Sequence, residues 1–295
     1  SEGTSRVPAK SSPVTRTGTT ALTLSEEIRQ RFDEFSRSQK DVGQYIVDHL
    51  EEAAFHTAEE LARRANTSSS TVVRFAQALG FEGFPELQAA ARDEYRRARE
   101  NGTAAELTSA PLFPIDQTEF EGALAADHAN LAETARKVDR DEVAASVDLI
   151  SHSDRIVLCG TDQMAFFASY LRHLLMLLDL RAEVVASPSQ DNLSKLGRVT
   201  DKTVMIGFSA GRPHPLVVRA MKLARNRHAA TIAIADATLS EVAKLADHRL
   251  YYSSNSPAFV RSHSALLGVI QALAYGVYAM DEPAYADRIK AFRLK

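Results

Sequence analysis

Two short amphipathic stretches separated only by Asn66 and Thr67 constrain this chain more than any other feature. The first opens at Thr57 with Glu60 three residues on, a reciprocal capping pair, and packs through Ala58, Leu61, Ala62 and Ala65. The second opens at Ser68, a good N-cap, and carries Val72, Phe75, Ala76 and Leu79 at i, i+3, i+4 and i+7. Gly80 ends it, and Pro85 starts a further helix expected over 85–99. Upstream, Leu24, Ile28, Phe32 and Phe35 mark one helix. The spacing predicts another from a capping box at Ser38–Asp41, with Val42, Ile46 and Leu50 as its stripe. The expectation is an all-α helix-turn-helix domain over residues 21–100.

The outer face of the second stretch is polar, with Ser70, Arg74 and Gln77. A helix packed on one side and presenting hydroxyls and an arginine on the other suits the major groove of duplex DNA. Arginine can bond guanine in bidentate fashion, and serine and threonine contact several base edges or phosphates. Ser69, Ser70, Thr71 and Arg74 are the candidate base readers, with Gln77 one turn further on. Arg63, Arg64 and the helix starts at Thr57 and Ser68 are candidates for positioning on the phosphates. A plainer reading stands beside this one. Any capped helix of a three-helix domain has a polar outer face, and Arg74 could pair with a carboxylate inside the domain.

Residues 38–100 hold 8 Lys and Arg against 11 Asp and Glu, so counterion release from one such domain is modest. Useful affinity then needs at least two recognition helices on a palindromic or repeated operator, hence a homodimer or higher homo-oligomer.

The segment VVRFAQALGFEGFPELQ, preceded by TAEELARRA, is similar to the DNA-binding domain of RpiR-type transcriptional regulators. The resemblance rests on Ser68, Thr71, Arg74, Phe75, Leu79, Gly80, Phe81, Gly83 and Phe84 and covers residues 38 to 95. It implies a DNA-binding transcriptional regulator, not an enzyme, with duplex DNA as partner.

Residues 101–117 break the helical pattern with Gly102, Pro111 and Pro114 and read as a linker to a domain over 118–295. Helices are expected at Glu119–Lys137 and Asp141–Ile150. From Arg155 short apolar runs alternate with amphipathic helices: Ile156–Cys159, Ala182–Val185, Thr203–Gly207, Thr231–Ile234 and Arg249–Tyr252. Most runs are too uniformly apolar for a sheet with one wet face. They predict a doubly wound, five-stranded parallel sheet in an α/β domain, closed by a helix over Ala258–Met280.

In such a sheet the ligand lies beyond the carboxyl ends of the strands. The candidates are the turn after the first strand, with Thr161, Asp162 and Gln163, and the turn after the third, with Ser209, Gly211, Arg212 and His214. Helix starts follow both turns and favour an anion. Ser187, Gln190, Arg261, Ser262 and His263 are secondary candidates from neighbouring loops. Each histidine alone is more often a surface or capping residue.

The sequence VMIGFSAGRP, with TIAIADATLSEVAKLADHRLYY after it, resembles the sugar isomerase (SIS) domain that RpiR regulators carry. There Ser240, Ala246 and Asp247 fit the S-x-x-A-x-x-A-D signature, and the resemblance covers residues 154–278. It implies a phosphosugar effector held by hydroxyls. The chain departs from that pattern: S-x-S-G-x-T reads F-S-A-G-R-P, so Phe208, Ala210 and Pro213 stand where hydroxyls are expected. The first turn lacks G-x-G-x-S, and Asp162 there would repel a phosphate. Three readings follow: Arg212 binds a phosphate by its fork, an unphosphorylated polyol bonds Asp162, or the domain only dimerises. Isomerase chemistry would need a positioned base, for which only His214 and His263 stand in range, and neither turn holds a glutamate.

The rest of the chain excludes other classes. One cysteine, Cys159, rules out an internal disulfide framework and fits a reducing cytoplasm, and Cys and His spacings give no zinc pattern, so neither metal nor cofactor is expected. No apolar run of membrane-spanning length occurs, so no membrane partner is expected. Residues 1–20, rich in Ser, Thr, Pro and Arg, are expected to form a disordered tail.

Overall fold

A computed structural model describes residues 22–100 and 119–293. The expected tail and linker lie outside the described residues.

The N-terminal unit is helical throughout: α1 (Leu24–Arg31), α2 (Arg37–Asp48), α3 (Leu50–Phe55), α4 (Ala58–Arg64), α5 (Ser69–Ala78) and α6 (Phe84–Glu100). Thr23 and Glu26 form a capping box at α1. The second helix differs from expectation. Its N-cap is Ser36, with Gln39 as reciprocal partner, two residues before the Ser38 box. The same stripe breaks at His49 (φ −133, ψ 55), so Leu50 opens a separate helix instead of ending α2.

The core collects the apolar stripes: Ile28, Val42, Ile46, Leu61, Val72, Phe75 and Leu87 are fully buried. Phe35 meets Phe75 edge-on at 4.9 Å. At Gly43 of α2 the side chains of Ile28 from α1 and Phe75 from α5 press in, and an added Cβ would lie 3.1 Å from each.

The C-terminal unit begins with α7 (Glu119–Lys137) and α8 (Arg140–Ser151). Five strands follow: β1 (Arg155–Cys159), β2 (Ala182–Val185), β3 (Thr203–Ser209), β4 (Ala230–Ala235) and β5 (His248–Tyr251). They form one parallel sheet in the order β2-β1-β3-β4-β5. Between them run α9 (Gln163–Leu177), α10 (Gln190–Gly197), α11 (Pro215–Asn226) and α12 (Glu241–Leu245), and α13 (Ser264–Met280) and α14 (Glu282–Arg293) close the chain.

Alternate strand residues face opposite layers. Ile156, Leu158, Val204, Ile206, Phe208, Ile232 and Ile234 pack with α8, α9 and α13. Val157, Cys159, Met205 and Ala233 pack with α11 and α12. Burial on both faces explains the unbroken apolar runs. The closing helix starts at Ser264, not Ala258. The preceding apolar pair Phe259 and Val260 has no buried face to pack on and is exposed. Among the described residues no single helix is long and apolar enough to cross a membrane.

Candidate nucleic-acid interface and effector site

The turn between α4 and α5 is built by backbone bonds. Asn66 takes a positive φ of 54, and Thr67 N–H donates to the Ala62 carbonyl at 2.8 Å, ending α4 within two residues. Thr57 accepts from the Glu60 amide at 3.2 Å while Glu60 accepts from Thr57 N–H at 2.9 Å. Ser68 Oγ accepts from Thr71 N–H at 3.3 Å and lies 2.9 Å from both Ser70 Oγ and Thr71 Oγ1. At the other end of α5, Gly80 at φ 94 lets Phe81 N–H reach the Ala76 carbonyl at 3.0 Å.

The outward face of α5 holds Ser69, Ser70, Arg74 and Gln77, all exposed, with Thr71 half-buried. Arg74 donates to Ser70 Oγ at 3.4 Å and, among the described residues, has no carboxylate partner. The two arginines of α4 part ways. Arg64 pairs with Glu52 at 3.1 Å, while Arg63 lines a cleft of about 510 Å³ with Glu59, Asn66, Thr67, Ser68 and Ser69. Val73, on the same outward face, is 37% exposed and has no signal in the polar pattern, because it breaks that pattern.

At the sheet, the order β2-β1-β3 places the switch between β1 and β3, so their following turns are neighbours. Cys159 pairs with Gly207, and two residues beyond that pair lie Thr161, in the turn after β1, and Ser209, the last residue of β3. Both are buried, and among the described residues the Ser209 hydroxyl has no hydrogen-bond partner. The Tyr252 hydroxyl donates to the Ser209 carbonyl at 3.2 Å. The His263 ring sits edge-on to Phe167 (5.3 Å) and Tyr252 (6.3 Å), its Nδ1 buried and, among the described residues, unpartnered. Burial lowers its pKa, which keeps the imidazole neutral near pH 7. Asp162 takes φ 52, ψ −129, a conformation disfavoured for a side chain, and Gln163 beside it is exposed.

Three donors converge on one internal carboxylate. Asp236, at the end of β4 and 1% exposed at its side chain, accepts from Gly211 N–H at 2.8 Å, Ser254 Oγ at 2.7 Å and Arg261 Nη1 at 3.2 Å. Gly211 turns at φ 62 with Arg261 stacked on it, 3.2 Å from where a Cβ would sit. Asp236, Ser254 and Tyr252 carry no sequence pattern that would have singled them out.

The other sequence candidates lie apart from this cluster. Arg212 pairs with Asp41 of α2. His214 caps α11, its Nδ1 accepting from Leu216 N–H at 3.1 Å. Ser187 accepts from Asn192 at 3.2 Å, Gln190 opens α10, and Ser262 donates to Asp127 of α7. Among the described residues no three His, Cys, Asp or Glu side chains cluster as a metal site.

Residues 22–98 match the rpiR-family helix-turn-helix domain, and residues 149–276 match the SIS domain. The chain belongs to the RpiR family of transcriptional regulators. Its fold is also that of solved relatives. The sugar isomerase domain of an RpiR transcription factor from Sphaerobacter thermophilus is 23% identical, with a TM-score of 0.57, covering 59% of this chain and 97% of that one. The Vibrio vulnificus NanR protein, solved with ManNAc-6P, is 19% identical with a TM-score of 0.54, covering 92% and 96%. In this RpiR-family chain, the helix-turn-helix is thus the DNA-binding unit and the parallel-sheet unit is the SIS domain.

Proposed function

We propose that this regulator reads a palindromic or repeated duplex operator through α5 as a homodimer or higher homo-oligomer, and that its SIS domain senses a sugar phosphate or a related polyol. The observation that carries the sensing half is the buried Ser209 hydroxyl at the β1/β3 switch, which has no hydrogen-bond partner among the described residues. A buried hydroxyl left unbonded costs on the order of 1–3 kcal/mol, and a ligand hydroxyl or phosphate oxygen would recover it. The V. vulnificus relative holding ManNAc-6P supports a sugar phosphate as the first class to test. On the DNA side, Ser69, Ser70, Arg74 and Gln77 form the reading face, and Val73 adds a methyl-bearing surface suited to thymine. Arg63, Ser68 and Thr57 approach the phosphates, and Arg64 joins them only by leaving Glu52.

The domain is read as non-catalytic. His214 is committed to capping a helix, and the turns after β1 and β3 present no glutamate as base. Thermal-shift titration with hexose 6-phosphates and free polyols tests the sensor, because a ligand of the native state raises Tm by mass action. The expected result is a rise with one of them that Ser209→Ala removes. No shift with either class would leave the SIS domain as an assembly module.

A further inference from the structure

The helical unit is not merely tethered to the SIS domain; it sits on the loop that follows Asp236. Downstream of Asp236, the β4–α12 loop turns toward α2. Asp48, 6% exposed at the end of α2, accepts from Thr238 Oγ1 at 2.5 Å and from Thr238 N–H at 3.3 Å. Leu239 N–H donates to Gln44 Oε1 at 2.7 Å, and the Leu239 side chain packs against the helix-turn-helix core. The flanks are charged. Arg212 of the β3 turn pairs with Asp41, and Lys244 of α12 pairs with Asp33 at 2.9 Å and lies over the Phe32 ring. Lys137 of α7 donates to the Asp48 carbonyl at 2.6 Å.

We propose that residues 236–240 form a coupling element: one end, Asp236, occupies the anion-binding donors of the effector site, and the other end, Thr238 and Leu239, grips α2. An anionic effector entering the β3 turn would compete with the Asp236 carboxylate for Gly211 N–H and Arg261. Two anions cannot share those donors without strong repulsion, so the carboxylate must move. Thr238 lies two residues away, and its bonds to Asp48 then shift with it. The docked form leaves Ser69, Ser70, Arg74 and Gln77 exposed, so docking presets the DNA-reading face instead of covering it. Effector binding and operator binding become linked through the hold of one loop on one helix. The coupling rests on the strand-end site being the effector site; the docking does not.

The experiment has two arms. In the first, hydrogen exchange of residues 41–48 is followed in the full chain, in Thr238→Val and in Asp236→Asn. Faster exchange in α2 in both variants is expected; unchanged exchange in both overturns the proposal. In the second, Asp48→Cys with Thr238→Cys is closed by mild oxidation. The native Cys159 does not interfere, since burial pushes its thiol up to about 12. Closure within one chain is expected, and closure only between chains overturns the proposal.

Operator affinity is then titrated with ManNAc-6P, fructose 6-phosphate and glucosamine 6-phosphate. A probe that shifts the unlinked protein about tenfold or more should shift the closed form less than about twofold. An equal response in both forms sinks the coupling while leaving the effector reading intact. If no probe binds the unlinked protein, the sugar-phosphate reading fails and the coupling with it, while the loop's hold on α2 is decided by the exchange arm.

Discussion

Arg74 is the residue on which sequence specificity at the operator should depend most. Its guanidinium is exposed on α5 and, among the described residues, meets Ser70 at 3.4 Å and no carboxylate, so DNA has no ion pair there to break in recruiting it. Arg74→Ala should weaken operator binding by about 1–3 kcal/mol, the worth of a bidentate base contact, and leave Tm unchanged. An unaltered affinity in a fluorescence titration would remove Arg74 from the reading face. Asp48 makes a different prediction. Burial raises its pKa to about 6 from 3.8, outweighing the Thr238 bonds and the charge of Lys137 that pull it down. A carboxyl whose folded pKa is raised stabilises the fold fully below its unfolded value, and that contribution is lost as pH rises through about 6. Acidification from about pH 7 to 5 should therefore favour the wild type over Asp48→Asn by about 1 kcal/mol, after the titrations common to both cancel. Denaturant midpoints of the two proteins at each pH check the sign. A relative loss for the wild type on acidification would mean that the ionised form is the better-held one.

Helix α2 shows at the scale of the element what a local sequence pattern can and cannot reveal. Its contact with α5 depends on Gly43, where a Cβ would meet Ile28 and Phe75 at 3.1 Å, both fully buried. Gly43→Ala gains about 1 kcal/mol of helix propensity and loses a similar amount to crowding, so stability should hold nearly constant. Gly43→Val adds bulk that the neighbours cannot accept, and a loss of about 1–3 kcal/mol is expected in thermal unfolding. A neutral Val variant would show that α2 and α5 can separate. The α4–α5 pair was legible because caps and stripes lie within a few residues of one another. The strands were legible because burial on both faces leaves unbroken apolar runs. The other face of α2 was not, since Asp48 and Gln44 meet Thr238 and Leu239 across 190 and 195 residues. The same holds at the site: Gly211 and Arg261 meet Asp236 from positions each 25 residues away, without any periodicity to announce them. Arg212 reads as a phosphate fork in sequence because its partner Asp41 stands 171 residues upstream.

For the whole molecule, charge sets the terms of DNA binding. The chain carries a net charge of −3, and residues 38–100 hold 8 bases against 11 acids, so no global field draws it to DNA. A single recognition helix carrying one arginine should then bind weakly, and tight binding is expected to need two helices held at a fixed separation. If two copies pair, the SIS domain is expected to set that separation, because it grips α2 of its own chain through Thr238 and Leu239. Two-fold reading places half-sites about one helical turn, or a whole number of turns, apart on one face of the duplex. Inserting about 5 base pairs between the half-sites turns one of them to the opposite face, whereas inserting about 10 restores the face. On an operator selected from random duplexes, the half-turn insertion should reduce affinity to that of a single half-site. The full-turn insertion should recover part of it only if the gap can be spanned. Equal binding to all three spacings would mean that each helix-turn-helix acts alone, with the SIS domain contributing nothing to the geometry of the pair.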